Sequence, residues 1–206
     1  MTQIAKKIII VGAGEHGQVV KNCLRLLSDF EFAGFLDDTK SGEDILGGFA
    51  DFENFLADHL FYIAVGNNRD RKAVFEKFHT AGAKFATIIH PTATLELQVK
   101  LGVNVFMGAH TYININTIVG DNTIINNGCI VEHDNIIGSH SHLTPGVVTG
   151  GGAKIGNNVL VGLNCSIRDH ITIGDNCIIG MGTVVVKDLE GNLQILNKFE
   201  QIKKHL

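Results

Sequence analysis

What this chain lacks narrows its chemistry before any motif is read. It has no unbroken apolar run of about 18 residues, the length a membrane-crossing helix needs, although 45% of its 206 residues are apolar. Met1 to Lys7 hold two lysines and run straight into Ile8-Ile9-Ile10-Val11, without a long apolar segment and a small-residue cleavage site, so no export signal is expected. There is no basic excess: 17 Lys and Arg stand against 21 Asp and Glu, a net charge of −4. Phosphate neutralisation needs clustered cations, so no nucleic-acid partner is expected, and the missing apolar run leaves no membrane insertion expected either. Four cysteines, Cys23, Cys129, Cys165 and Cys177, form no CxxC pair and no disulfide framework, which fits a cytoplasmic, reducing setting. Charge of either sign is scarce, 18% of residues against about a quarter in an average domain.

The shortage has a location. Ten of the twelve phenylalanines precede residue 87, whereas residues 87–188 hold only 11 of the 38 charged residues. This contrast divides the chain into a first domain over 1–86, a second over 87–188 and a C-terminal tail over 189–206. In the first domain, Lys7 to Gly12, Phe30 to Leu36, Phe61 to Val65 and Lys84 to Ile89 read as strands. Val19, Val20, Cys23, Leu24 and Leu27 mark one apolar helical stripe, and Arg69 to Thr80 carries another with Ala73, Val74 and Phe78. The β-α-β order implies a parallel sheet.

The second domain repeats every six residues. Cut into 17 hexads from residue 87 with no insertion, its third position is aliphatic in 16, from Ile89 and Leu95 through to Ile179 and Val185, with Thr149 the exception. The first position is mostly small or β-branched, and Gly takes the fourth position in nine hexads. Such a period marks a solenoid. Each hexad makes one short strand with its aliphatic pointing inward, three hexads close a triangular coil, and Gly eases the turn. At the usual strand spacing the prism is about 27 Å tall. The first domain and the tail are expected to cover its two ends, where bare strand edges would otherwise stand.

Residues that depart from the repeat carry the candidate chemistry: Glu132-His133-Asp134, Asn135, His140, His142, Thr149 and Gly150-Gly151-Gly152. His133 faces outward, and Asp134 beside it is placed to accept a ring N–H and strengthen the imidazole as a base. A solvated surface pair is the competing reading. No metal site is expected at His133, His140 and His142, since no Cys joins them. Cys129, Cys165 and Cys177 fill inward slots, which also argues against a covalent acyl-cysteine. In the first domain, Gly12-Ala13-Gly14-Glu15-His16-Gly17 lies after a strand and before a helix, a phosphate-binding context. Asp37-Asp38 follows the second strand, where a ribose-binding acid stands, and Gly66-Asn67-Asn68 follows the third at the same sheet edge. Four strands suit half a dinucleotide site and so a mononucleotide, with an NAD-binding domain and a ligand-free glycine turn as competitors. Arg69, Arg71 and Lys72 either complement phosphate or solvate a helix start.

The hexads resemble the left-handed β-helix of the hexapeptide-repeat acyltransferases. Together with the GxGxHG turn, Phe35-Leu36-Asp37-Asp38, Ala64-Val65-Gly66-Asn67-Asn68 and Glu132-His133-Asp134, they make nearly the whole chain similar to the bacterial N-acetyltransferases of nucleotide-linked 4-amino-4,6-dideoxy sugars and the related sialic-acid O-acetyltransferases. The resemblance implies a half-Rossmann α/β domain followed by a left-handed β-helix, a homotrimer, and acetyl-CoA lying between adjacent prisms as co-substrate. It implies His133 as general base with Asp134 raising its basicity, His142 beside the thioester, and Leu163 and Met181 lining the CoA channel. Gly14, Glu15, His16, Asp37, Asp38 and Gly66 match the nucleotide-sugar site. Direct transfer to a UDP-linked 4-amino sugar in glycan biosynthesis follows by analogy. The alternatives are O-acetylation of sialic or legionaminic acid, a non-catalytic nucleotide-binding β-helix protein, and an NAD-linked activity. The chain departs from many relatives in lacking a Gly-x-Pro-Ala-Lys stretch near the CoA site. It runs through Leu189-Glu190-Gly191-Asn192-Leu193 to Lys198, Phe199, Lys203 and Lys204, lysines that either meet CoA phosphates or solvate an amphipathic end.

Overall fold

The computed structural model describes residues 5–196; Lys198, Phe199, Lys203 and Lys204, and with them both readings of the tail, lie outside the described residues. Four parallel strands open the fold: β1 (Lys6–Val11), β2 (Phe30–Leu36), β3 (Ile45–Gly47) and β4 (Leu60–Ile63), in the order β3-β2-β1-β4. Helices α1 (Glu15–Leu24) and α2 (Asn68–Thr80) and a 3-10 helix over Phe49–Phe55 cover them. β1 is central and buried on both faces, which is why it reads as a continuous Ile-Ile-Ile-Val run rather than an alternating one. Ile8 and Ile10 pack with Val20, Cys23 and Leu24 of α1, whereas Ile9 and Val11 pack with Phe52, Phe75 and Phe78. Most of the first domain's phenylalanines thus form one aromatic layer on the α2 side of the sheet, while Phe30, Phe32 and Phe35 lie on the α1 side.

One strand differs from expectation. Residues 84–89 do not form the sheet's fourth strand: Phe85 makes a single bridge to Phe61, and Ile88–Ile89 pairs with Phe106–Met107 as the first rung of the solenoid. The hexad period already claims Ile88, and β3, three residues long, supplies the remaining strand from a stretch too short to show alternation.

From Ile88 the chain winds through coils of 18 residues, three two-residue strands each, into three parallel sheets. The first face stacks Ile88, Phe106, Ile124, His142, Leu160 and Ile178 outward; the second stacks Tyr112, Ile130, Val148 and Ser166; the third stacks Lys100, Ile118, Ile136 and Lys154. Third-position aliphatics from Met107 to Val185 are buried, as are Cys129, Cys165 and Cys177. Burial pushes the Cys129 thiol up to about 11. Glycine after the aliphatic does a different job from the one expected. The turn is made at the sixth position, where Gln98 and then Asn, His, Asp or Gly take φ near +60° in every hexad as far as Gly182. The fourth-position glycine instead lets the next coil close down: a Cβ on Gly138 would stand 2.5 Å from the Gly156 carbonyl carbon.

The first domain does not cap the prism's end. It lies against the first face, where outward-pointing Ile88, Phe106 and Ile124 join Ile8, Ile10, Phe35 and Tyr62 in one core. Inward residues of the first coil, Ala93, Leu95, Val99 and Leu101, stay half-buried. At the other end Gln194–Ile195 pairs with Ile178–Ile179 after a 16-residue coil, and Leu189 bridges Ile173. Arg71 neither solvates a helix start nor faces a phosphate; it is fully buried between the domains. Its guanidinium donates to the carbonyls of Val65, Gly66, Asn122 and His140 and to Asn68 Oδ1 at 2.8–3.2 Å. Beside it Asn104 Oδ1 accepts from Ile63 N–H at 2.8 Å and its amide donates to Asn122. Replacing Arg71 by Met leaves these carbonyls buried and unpaired, so urea unfolding is expected to show a loss of about 3–5 kcal/mol. A loss below about 1 kcal/mol would remove Arg71 as the clamp.

Candidate active site

The second face leads through Ile130–Val131 to a corner at which Asp134 takes φ 57°. Asn135, in the small-residue slot, pins this corner from inside by donating to the carbonyls of Glu132, His133 and Gly150 at 2.7–3.2 Å. His133 Nδ1 and Asp134 Oδ2 are 2.8 Å apart, and the other carboxylate oxygen accepts from Asn116 one coil below at 3.0 Å. Hydrogen bonds from His133 and then Asn116 hold the Asp134 carboxyl below the usual range. The His133 ring lies over Gly151, one coil above: a Cβ there would meet ring atoms at 2.5–2.6 Å. The imidazole is more than half exposed, and its Nε2 bonds to nothing among the described residues. Nδ1–H given to a carboxylate and a lone pair open at Nε2 are the arrangement of a general base.

His142 sits on the first face, against the first domain. Its Nε2 lies 3.2 Å from Asn126 Nδ2. Burial, and then the charges of Arg71 and His16, lower it to about 3. His16, in the first turn of α1, has Nε2 3.2 Å from the Tyr62 hydroxyl and packs its ring edge-on to Phe106; burial, then Arg71, lower it to about 4. Both rings are therefore neutral at physiological pH.

A cavity of about 400 Å³ opens at the carboxyl edge of the sheet, lined by Gly12, Gly14, Asp37, Asp38, Gly66 and Asp70 among others. This is the crevice where ligands of open α/β sheets bind. Gly14 caps α1 with no side-chain bond, leaving the helix N-terminus to a ligand. Gly17 sits where a side chain would run into the Gly12 carbonyl. Asp37 is a brace: Ala13 N–H, Thr39 N–H and hydroxyl and Lys40 N–H all donate to it at 2.7–2.9 Å. Burial raises its pKa, but those bonds outweigh it and keep the carboxyl below its ordinary value. Asp38 accepts from Phe49 N–H at 2.7 Å.

The structure thus joins Gly14, Asp37, Asp38 and Gly66 in one cavity, and His16 with His142 at the domain junction. Glu15 stands in the exposed first turn of α1. Leu163 and Met181 are exposed one coil apart on the corner between the first and second faces, whereas His133 and Asp134 occupy the corner between the second and third. Within one chain the proposed base and the His142 face are not brought together. Asn116 escaped the sequence reading, although it lies 18 residues from Asp134, one coil away; Gly151 stood out only as part of a glycine run, not as the floor beneath the His133 ring.

A parallel nucleotide-type sheet docked on a β-helix of hexapeptide repeats defines a hexapeptide-repeat acyltransferase. The chain matches the PglD N-terminal domain over residues 7–78, the hexapeptide repeat of succinyl-transferase over 98–133 and the bacterial transferase hexapeptide over 152–187. The acetyltransferase domain of PglB from Neisseria gonorrhoeae FA1090 has the same architecture, with a TM-score of 0.89 at 28% identity over 93% of this chain and 97% of that one. A histidine mutant of GDP-perosamine N-acetyl transferase from Caulobacter crescentus, in complex with CoA and GDP-perosamine, gives 0.85 at 30% identity over 98% of both chains. UDP-N-acetylbacillosamine N-acetyltransferase of Bacillus subtilis (strain 168) is 33% identical over 105 residues, which span 47% of this chain and 49% of that protein. The chain belongs to this family of acetyl-CoA-dependent sugar N-acetyltransferases with a left-handed β-helix.

Two outcomes follow from the geometry. Because His142 and His16 are harder to protonate folded than unfolded, stability is full above the ordinary histidine value of 6.5. It falls as pH drops from there towards 4, by up to about 1.4 kcal/mol per pH unit for each ring. Urea titrations at pH 7.5, 6 and 5 are expected to show that slope, shallower by one ring's share in His142→Asn; equal slopes would contradict the burial described. In Gly151→Ala the new methyl displaces the His133 ring, so kcat is expected to drop about 10²-fold with the melting temperature nearly unchanged.

Proposed function

We propose that this protein transfers the acetyl group of acetyl-CoA to the 4-amino group of a nucleotide-linked 4-amino-4,6-dideoxy sugar, with His133 as general base. The observation that carries the reading is the His133–Asp134 pair: a 2.8 Å contact at Nδ1, a carboxylate braced by Asn116, and an imidazole open at Nε2. With both substrates bound, the neutral amine attacks the thioester carbonyl and its proton passes to His133 Nε2. The tetrahedral intermediate collapses, the C–S bond breaks, and the imidazolium returns the proton to the leaving CoA sulfur. Asp134 holds the ring through Nδ1–H and offsets the charge it gains.

The nucleotide belongs in the cavity at Gly12, Gly14, Asp38 and Gly66, its diphosphate at the uncapped start of α1. UDP is our choice of nucleotide; the relatives' names include a UDP-linked and a GDP-linked sugar. Acetyl-CoA runs past His142, Leu163 and Met181. Because His133 and His142 lie on separate parts of one prism, the site is completed between copies in a homotrimer. Exposed Ile118 and Ile136 on the third face, and Ile130 and Val148 on the second, flank the His133 corner and supply the apolar surface such a contact needs.

CoA release from acetyl-CoA, followed with a thiol reagent across UDP-, GDP- and dTDP-linked 4-amino sugars, their 4-hydroxy counterparts and sialic acid, tests the reading. Saturable turnover is expected on a UDP-linked amino sugar, falling at least 10³-fold in His133→Ala while nucleotide binding persists. Turnover on sialic acid alone, or full activity in the variant, would overturn it. Sedimentation is expected to give three times the chain's 22.3 kDa.

A further inference from the structure

We propose that Asn126 is a positioning residue that fixes His142 as its Nδ1–H tautomer, so that the ring offers an N–H donor to the carbonyl oxygen of the acyl thioester. The argument turns on which end of the Asn126 amide faces the ring. Asn127 N–H points at one end from 2.8 Å. Of the two ends of a side-chain amide only the oxygen accepts a hydrogen bond, so that end is Oδ1, and the NH₂ end is the one 3.2 Å from His142 Nε2. Reversing the amide would press two donors together at Asn127 and give nothing in return. An NH₂ group donates and cannot accept, so Nε2 must present its lone pair. A neutral imidazole carries one proton, and it is therefore on Nδ1.

The same arrangement recurs at another fourth-position asparagine, where the partner's chemistry is unambiguous. Asn114 Oδ1 accepts from Ile115 N–H at 2.8 Å, and its Nδ2 donates at 2.7 Å to the carboxylate of Glu132. Where most hexads keep a glycine after the aliphatic, these two spend the position on an amide whose oxygen is tied to the next residue and whose NH₂ reaches to the coil above. Among the described residues His142 Nδ1 makes no hydrogen bond, yet the sealed, partnerless side-chain atoms there are Asn135 Oδ1 and Asn158 Oδ1 alone. Nδ1–H is therefore open to a bound molecule. Burial and the Arg71 charge, which lower His142 to about 3, keep the ring neutral, so no second proton blurs the tautomer. A donor held by its neighbours before substrate arrives stabilises the oxygen that gains charge during transfer.

The chemical role rests on the acetyl-transfer reading; the tautomer does not, and the two are measured separately. In the full-length protein labelled with ¹⁵N-histidine, long-range ¹H–¹⁵N correlations identify which ring nitrogen is protonated, with the His142 signals assigned by their loss in His142→Gln. The wild type is expected to show Nδ1 protonated and Nε2 bare. In Asn126→Asp the carboxylate demands a donor, so Nε2 becomes protonated, and kcat is expected to fall about 10²-fold with KM for acetyl-CoA changed less than about 3-fold. Asn126→Ser, with a hydroxyl able to donate, is expected to recover part of the loss. A wild-type ring protonated at Nε2 overturns the proposal whether or not any variant folds, as does a tautomer unmoved in Asn126→Asp. A switched tautomer with unchanged kcat overturns the donor role. Absent turnover by the wild type on every amino sugar would instead remove the proposed reaction, leaving the tautomer result to decide Asn126's part.

Discussion

The buried guanidinium of Arg71 is the constraint on which the rest of this molecule depends. Among the described residues it has no carboxylate partner; its charge is met by backbone carbonyls from both domains and by one asparagine oxygen. Burial lowers its pKa, but only to about 10, so it remains a cation at neutral pH. Carbonyls solvate that charge only if both domains hold their places, because each acceptor sits at a fixed point of a coil or of the turn before α2. Burial, and then the same charge, lower His16 to about 4 and His142 to about 3 and keep both rings neutral. The Arg71 cluster therefore ties the first domain to the prism and adds to the burial that keeps the groups at their junction unprotonated.

The second constraint is the 18-residue coil. Stacking at that interval turns sequence separation into a fixed address, so side chains far apart in the chain, such as Asn116, His133 and Gly151, meet at one corner. The corner exists because left-handed backbone is set at every sixth position, where Asn, His, Asp and Gly pay least for it. Asp134 occupies such a position, so its carboxylate is delivered beside the His133 ring by backbone geometry and needs no long side chain to reach it. Chemistry is added where a slot that usually takes a small, aliphatic or glycine residue takes something polar: Asn135 and Thr149 inside, Asn126 and Glu132 at the fourth position. The β-helix tolerates each because neighbouring coils supply the partner.

How much of this was legible in the sequence depended on whether the signal was periodic. The coil, its inward residues and its hexad register were readable because Ile89 to Val185 repeat without a gap, and His133-Asp134 stood out as an interruption of that repeat. β3 was not readable, since Ile45-Leu46-Gly47 is too short for alternation, and Lys84 to Ile89 looked like a strand of the sheet although its last two residues belong to the solenoid. Arg71 had no periodic signature: next to Arg69 and Lys72 it reads as solvated charge, and only the docked prism shows that its helix face is covered. Adding 18 to His133 explains why Gly151, already noted for its glycine run, must stay small, and Asn116 was within reach, since subtracting 18 from Asp134 finds it. Asn126 was not, because it meets His142 on a diagonal of 16 residues between neighbouring coils.

The placement of the three histidines separates their chemistry. His16 and His142 share the Arg71 side of the prism, where a cation repels added protons and burial removes the water that would solvate them, so each acts as a neutral ring with one donor and one acceptor. His133 is on a different corner, exposed, with a carboxylate rather than a guanidinium as its neighbour. In the proposed reaction, a proton taken from an amine there would be met by negative charge instead of positive. If the base stood on the Arg71 side, its protonated form would be opposed at the moment of transfer; if the donors stood beside Asp134, they would gain a second proton and lose their acceptor. A single prism face cannot provide both environments within a few ångströms. In the homotrimer we propose, building the site from two different parts of the prism would let an acyl thioester touch a ring held neutral on one side and a ring beside a carboxylate on the other.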